Sequence, residues 1–179
     1  MRSRKTQLLT IILVFIATLS GSSLDAEPSL SETSEWLTAK LTGLSGSQVQ
    51  TITCNSGRVT NYTMGQTIKS VSIHDGLLRI DKQFITTGGG DNLYSPIKQS
   101  VLRLDEFYAT CSVKRLASEA PAPNRLCTSQ MTRLPYEINL SGPNNKWFSI
   151  WVDDQELAER IGRALENLIA KSGGKKEAF

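Results

Sequence analysis

The stretch 153–174 reads DDQELAERIGRALENLIAKSGG and carries the clearest structural signal in the chain. Its apolar residues recur at spacings of three and four, which predicts an amphipathic helix that buries one face against a sheet. Asp153 and Asp154 predict a negatively charged N-cap, where Glu156 would complete a capping box with Asp153, and the glycines at 173–174 predict the end. Gly162 falls near the polar positions, so the pattern gives it no role beyond slightly weakening the helix. The apolar stripe consists of Leu157, Ile161, Ala164, Leu165, Leu168 and Ile169.

Between residues 48 and 152 the chain reads mostly as strands, because short apolar or alternating runs are separated by turn residues. An Asp-Gly pair, Asp75-Gly76, stands between two such runs and predicts a tight hairpin. About seven strands at hairpin spacing predict a largely antiparallel sheet. Together with the closing helix, they indicate the α+β class.

A second helix is predicted near the start of this region. Ser29 with Glu32 fits a capping box, and Ser31 is an alternative cap. Apolar residues then follow at helical spacing as far as residue 44. Trp36 lies on that face, and we interpret it as a core anchor in preference to an aromatic contact for a ligand.

The N-terminal 26 residues have the order of a secretory signal peptide. A basic start (RSRK at 2–5) precedes the apolar run LLTIILVFI at 8–16, and small residues follow at 17–26. We expect cleavage after Ala26, with Ser22 as the alternative, so that residues 27–179 fold as a single globular domain outside the cell or in the periplasm. The apolar run is shorter than the roughly 20 residues of a membrane-spanning helix. An uncleaved N-terminal anchor is therefore the less favoured alternative.

The net charge of +3 for the whole chain belongs mostly to that segment. Three of the 20 cationic residues and one of the 17 anionic residues lie within residues 1–26, which leaves 17 against 16 and a net charge of +1. Nucleic-acid-binding proteins concentrate cations on one face or stripe. We therefore expect no nucleic acid among the partners.

An antiparallel sheet of about seven strands with one closing C-terminal helix resembles the pleckstrin-homology-like architecture. The ending AERIGRALENLIAKSGGKKEAF is similar to the close of small uncharacterised bacterial domains, which begin with a Trp-containing helix like SETSEWLTAKL at 31–41. The resemblance covers the two ends of the chain. It implies a PH-like sandwich or barrel and no particular activity.

His74 is the only histidine, which limits the catalytic options. A hydrolase would have to use it as a base, with Asp75, Asp81 or Asp105 as the helper. Adjacent strand residues point to opposite faces, however, and the predicted turn already explains Asp75. No nucleophile motif such as G-x-S-x-G is present, so we expect no catalytic residues. The glycines at 88–90 are not followed by G-K-[ST] or by a helix, which argues against a phosphate-binding loop.

Three cysteines lie in the expected mature chain, at Cys54, Cys111 and Cys127. They lack the paired spacing of a zinc site, so we expect neither a metal nor another cofactor. Export favours a disulfide instead. Cys111 and Cys127 flank the SEAPAPN loop at 118–124, and a hairpin there would place them opposite each other. We therefore predict a Cys111–Cys127 bridge, with Cys54 either buried and free or paired in place of one of them.

These observations predict an exported, non-enzymatic binding or accessory domain for an unidentified ligand. A protein or peptide partner would contact the loops at 86–92 (TTGGGDN) and 118–124, or an open sheet edge. The alternatives are a small secreted hydrolase with a dispersed site around His74 and a carrier of a small apolar ligand. Two glycosylation sequons begin at Asn61 and Asn139 and matter only in a cell that modifies them.

Overall fold

The computed structural model describes residues 28–88, 91–117 and 125–175. The expected signal segment and the 118–124 loop lie outside these residues. Two α-helices and nine strands occur in the described part, with mostly antiparallel pairing, so the α+β class is confirmed.

Helix α1 (Leu30–Leu41) begins as predicted: the Ser29 side chain accepts a hydrogen bond from the Glu32 N–H, and the Glu32 carboxylate accepts one from the Ser29 N–H. Helix α2 (Gln155–Lys171) begins differently. Asp154 is its N-cap and accepts from the Leu157 N–H at 2.6 Å. Asp153 is therefore free for other bonds, and its carboxylate accepts from the Ser47 N–H and from Arg133.

The first sheet consists of β1 (Ser45–Cys54), β2 (Val59–His74), β3 (Leu77–Gly88), β4 (Asp91–Tyr94), β5 (Lys98–Arg103) and β7 (Cys127–Arg133). Its strand order is β4-β3-β2-β1-β7, and β5 also pairs with β3. Two long strands, β2 and β3, form its centre. Their turn is the predicted one: His74 pairs with Leu77 across Asp75 and Gly76. Strand β5 lies beside the half of β3 next to this turn, and β4 lies beside the other half.

The second sheet has the order β6-β8-β9 and follows a short 3-10 helix (Leu104–Glu106). Its strands are β6 (Cys111–Arg115), β8 (Tyr136–Gly142) and β9 (Lys146–Val152). The two sheets meet where β1 crosses β9. A Cβ atom at Gly46 would overlap the main chain of Trp151, so only glycine permits this close approach. The two sheets do not close on each other, and the expected PH-like barrel is not confirmed.

The hydrophobic core lies among the two helices, the second sheet and the β2–β3 segments nearest the His74 turn. Helix α2 supplies the largest share, because the predicted apolar stripe packs into it. The fully or almost fully buried residues include Leu37, Leu41, Ile68, Leu78, Ile80, Ile138, Leu140, Ile150, Val152, Ile161, Leu165, Leu168 and Ile169. Within the described ranges, no helix is both long and apolar enough to cross a membrane.

Candidate functional site

The only histidine lies at the end of β2, and the aspartate beside it does reach it. Asp75 has a left-handed backbone (φ 50°), so it is a turn residue and not a strand residue, and its Oδ2 lies 2.7 Å from His74 Nδ1. The argument that the two side chains point apart is therefore wrong. Both side chains are 83% exposed, however, and water screens such a pair strongly.

No nucleophile completes this pair. The His74 turn lines a hollow of about 240 Å³ with Ser31, Ser34 and Ser172, yet no serine or cysteine of the described residues is hydrogen-bonded to His74. Asp105 lies near the turn, but its carboxylate binds Arg103, and this hydrogen bond holds the pKa of Asp105 below its ordinary value. Asp81 instead accepts from Ser70. In the described part of the chain, His74 therefore contacts no hydroxyl or thiol that it could activate as a general base.

The cysteines form a different bridge from the predicted one. Cys54 and Cys127 are directly opposite each other in the ladder between β1 and β7, and they are joined by a disulfide. The predicted Cys111–Cys127 pair is wrong because β6 and β7 do not form a hairpin: they belong to different sheets. Cys111 is free and packs beside α2, where burial, with a smaller effect from Glu166, raises the pKa of its thiol to about 12. Its thiol therefore stays protonated and unreactive at neutral pH.

A groove of about 660 Å³ lies between α1 and α2 and contains Trp36. The tryptophan is partly buried against the core, and the Arg160 guanidinium lies 5.5 Å from the centre of its ring. Part of the ring surface that could stack on a ligand is thus taken by a cation from the same chain. Trp36 links the two helices, in agreement with its interpretation as a packing residue.

Exposed apolar side chains are concentrated elsewhere, in the part of the first sheet farthest from the helices. We call residues 48–65, 84–88, 91–94 and 126–132 the outer half of the first sheet. No residue of the outer half is buried. Ten large apolar side chains are exposed in the described part of the chain, and six of them lie in the outer half: Val59, Tyr62, Met64, Leu93, Tyr94 and Leu126.

The register divides these residues between two faces, because directly paired residues share a face of the sheet. One face continues from Ile68, Leu78 and Ile80 in the core, and we call it the core-side face. The opposite face is rich in threonine. In the outer half, the core-side face carries Gln48, Gln50, Ile52, Tyr62, Met64, Phe84, Leu93 and Met131. The described outer half contains only two charged residues: Asp91, whose side chain the structure does not describe, and Arg58, at the turn that precedes β2.

The core-side face of the outer half ends at the second sheet. The ring of Phe84 meets the ring of Trp151 edge-on, with centroids 6.3 Å apart. Beside them lies Gln66, whose side chain is only 2% exposed and whose Nε2 has no hydrogen-bond partner in the described structure. A buried amide without a protein partner is costly.

Other predicted contact residues are only partly placed. Residues 86–88 belong to β3 and 91–94 to β4, and residues 89–90 lie outside the described residues. The 118–124 loop lies outside the described residues. Asn61 is exposed on the threonine-rich face and accepts a hydrogen bond from Thr51, whereas Asn139 is half-buried in the central strand of the second sheet. Within the described ranges, no cluster of three or more His, Cys, Asp or Glu residues is arranged to hold a metal ion.

Sequence reasoning missed Tyr62, Met64 and Leu93 as surface residues. In RVTNYTMGQ, apolar residues alternate with Thr, Asn and Gln, and this alternation is typical of a half-buried strand. The sequence signal that could have indicated an exposed face is the lack of charge. From residue 59 to residue 66, neither the odd-numbered nor the even-numbered positions carry a charged side chain.

Comparisons with known proteins found no matching family model, no similar curated protein and no similar solved structure at a significant level.

Proposed function

We propose that this chain is an exported, non-enzymatic protein-binding domain, and that the core-side face of the outer half is its contact surface. The supporting observation is that Tyr62, Met64 and Leu93 are exposed there, on strand segments that contribute no described buried residue. Contiguous exposed apolar surface on a folded protein generally belongs to an interaction site. The Cys54–Cys127 disulfide is compatible with an oxidising compartment.

The chemistry of this face fits a protein partner. Tyrosine, phenylalanine and methionine are enriched at the cores of protein interfaces, while acidic residues and lysine are depleted there. Tyr62, Met64 and Phe84 match that composition, and Gln48 and Gln50 add hydrogen-bonding groups without charge. A ligand carried in an interior cavity is not supported, because the two helices and the second sheet are packed around a continuous core.

The hydrolase alternative depends on His74. Its support is limited to the contact between His74 and Asp75 beside a shallow hollow, and both side chains are largely exposed to water. Loss of a measured hydrolytic activity in a His74→Ala variant, with the fold unchanged, would favour this alternative over the binding function.

Site-specific photo-crosslinking tests the binding function. A photoreactive residue replaces Leu93 in one variant and Val101 in its control. Both side chains are exposed, but Val101 lies on the opposite face of the sheet, on β5 and outside the outer half. The protein is mixed with the extracellular extract of its source. We expect a crosslinked protein from position 93 and little from position 101.

Competition then identifies the surface that is used. Unlabelled wild-type protein should abolish the crosslink, and a Tyr62→Ser, Met64→Ser variant should not. Equal crosslinking at positions 93 and 101, or equal competition by the variant, would contradict the proposal. N-terminal sequencing of the exported protein tests the export step, with Glu27 or Ser23 expected as the first residue.

A further inference from the structure

Strand β7 forms one edge of the first sheet, and in the described residues it pairs only with β1. Pairs in an antiparallel ladder alternate between hydrogen-bonded and non-hydrogen-bonded, and this alternation shows which main-chain groups of β7 are not bonded to β1. The Asn55 N–H donates to the Leu126 carbonyl at 2.9 Å, so Cys54 and Cys127 form a non-hydrogen-bonded pair. The N–H and C=O groups of Cys127, Ser129 and Met131 therefore point away from β1, toward the open edge.

Three of the other sheet edges, formed by β4, β6 and β9, are protected, and the edge strand β5 carries a charged residue at each end, Lys98 and Arg103. Strand β4 has only four residues, and Pro96 separates it from β5. At the edge of the second sheet formed by β6, the Cys111 N–H donates to the Glu166 carboxylate at 2.8 Å. At the edge formed by β9, Lys82 Nζ donates to the Ser149 carbonyl at 3.1 Å and lies over the Phe148 ring. Short strands, prolines and inward-pointing charges are the usual protections of strand edges.

Strand β7 lacks these protections until its last residue, Arg133. Residues 127–132 (CTSQMT) include no proline and no charge. A bulge lies only at the far end of the strand, where the register shifts after the Gln50–Met131 pair. The disulfide to Cys54 holds the near end in place. The edge is thus an ordered row of main-chain donors and acceptors, with the chemistry that another extended chain would complete.

We propose that the outer edge of β7 binds an extended segment of a partner protein and adds it to the first sheet as a further strand. This inference rests on the proposed binding function and specifies how the partner is held. Main-chain hydrogen bonds to Cys127, Ser129 and Met131 provide the affinity. Alternate side chains of the segment contact Met131 on the core-side face and Thr128 and Gln130 on the threonine-rich face, which fits uncharged side chains.

Charge distinguishes a partner segment from a second copy of this chain. In a symmetric antiparallel pair of β7 strands centred on Ser129, Arg125 of one copy would lie opposite the position of Arg133 in the other. Like charges directly opposite each other are destabilising. Arg125 is exposed at the Cys127 end of this edge, so a segment with an acidic residue at that end is the better match.

The test uses peptides of about ten residues, the length of a long strand, selected from a displayed random library on the exported protein. The informative variant is Ser129→Pro. Its ring removes the outward N–H but leaves the β1 ladder intact, which edge strands tolerate. Ser129→Ala is the matched control, because both variants lose the hydrogen bond from Gln50 Nε2 to Ser129 Oγ and only the proline removes the N–H.

Fluorescence anisotropy with the selected peptides should show affinity about tenfold weaker for Ser129→Pro and nearly unchanged for Ser129→Ala. Peptides N-methylated at successive positions give a readout that does not depend on the fold of the variant. Methylation should abolish binding at every second position only. Enrichment of peptides with an acidic residue near one end, and its loss in Arg125→Glu, would support the stated orientation.

Equal binding by the proline and alanine variants, or loss of binding on methylation at every position, would overturn strand addition. If Met64→Ser weakens binding while Ser129→Pro does not, the binding function stands and strand addition fails. If Met64→Ser and Ser129→Pro both leave binding unchanged, the proposed surface fails as well. Sedimentation that shows a homodimer dissolved by Ser129→Pro, without peptide binding, would assign the edge to a second copy and overturn the partner segment.

Discussion

Strands β2 and β3 pass through two different environments. Near the His74 turn, their side chains Ile68, Leu78 and Ile80 are fully buried against the helices and the second sheet. In the outer half, the same two strands contribute no buried side chain, and Leu93 on the neighbouring β4 is 69% exposed. The ladder extends across both regions, with one register shift between Ile68 and Ser70. Hydrogen-bonded pairing can therefore extend a sheet well beyond the core that stabilises it.

The outer half depends on other constraints. Its strands extend from a packed base, the Cys54–Cys127 disulfide ties β1 to β7, and Asp153 connects β1 and β7 to the start of α2 through Ser47 and Arg133. Since burial of apolar area is the main stabilising contribution in folded proteins, a region without it gains little from its own side chains. Function is the more direct explanation of the apolar residues on its surface.

The largest expected effect concerns the disulfide. A Cys54→Ala, Cys127→Ala variant opens a loop of 73 residues, for which the chain-entropy model gives a loss of about 4 kcal/mol in the free energy of unfolding. Urea denaturation measures this loss. Cys111→Ala is the control and should change stability by less than about 1 kcal/mol, because that thiol crosslinks nothing. Equal stability of the two variants would show that the outer half does not need its crosslink.

The second prediction compares one truncation in the two regions. Leu165→Ala removes a fully buried side chain of α2 and should reduce the free energy of unfolding by about 3 kcal/mol. Leu93→Ala removes the same atoms from the outer half and should change it by no more than about 0.5 kcal/mol. Thermal and urea unfolding both report this difference. A large loss with Leu93→Ala would mean that the outer half is packed against something in solution.

The smallest effect concerns pH and Lys82, where the two sheets meet. Burial lowers the pKa of Lys82 from 10.5 to about 8. Between these two pH values the unfolded chain binds more protons than the folded one, so the free energy of unfolding rises with pH in this window. Below pH 8 both states are protonated, and the cost of burying the charge is fully present. Above about pH 10.5 both are neutral, and that cost is gone.

Lys82→Met isolates this effect from other titrating groups. The stability of wild type relative to the variant should improve by an amount on the order of 1 kcal/mol between about pH 7 and about pH 10, after allowance for the remaining solvent screening. A difference that stays constant with pH would show that Lys82 is not buried between β9 and the first sheet.

The helices and the main turn could be predicted because their signals are local. The capping box at Ser29 and the hairpin at Asp75-Gly76 are each set by a few neighbouring residues, and both are confirmed. Local signals failed where two residues competed for one role. Asp153 and Asp154 can each cap α2, and only the position of Ser47 and Arg133 decides that Asp153 is used elsewhere.

Long-range arrangement could not be predicted from local pattern. The cysteine prediction assumed that consecutive strands pair, whereas β6 and β7 lie in different sheets. Gly162 is another case: the helical pattern places it near the polar side, yet it is buried, and a Cβ atom there would lie 3.0 Å from Val113. The glycine lets α2 approach β6 closely. Nothing in the sequence near Gly162 indicates that a strand packs there.

The disulfide also determines what happens when the chain is cut. Cys54 and Cys127 are separated by 73 positions in sequence. Hydrolysis of a single peptide bond between them therefore produces two fragments that remain one covalent molecule. The N-terminal fragment keeps α1 and β1, the C-terminal fragment keeps β7 and α2, and the bridge holds β1 to β7 at the same register. Nicked protein would run as one species on a non-reducing gel and as two after reduction.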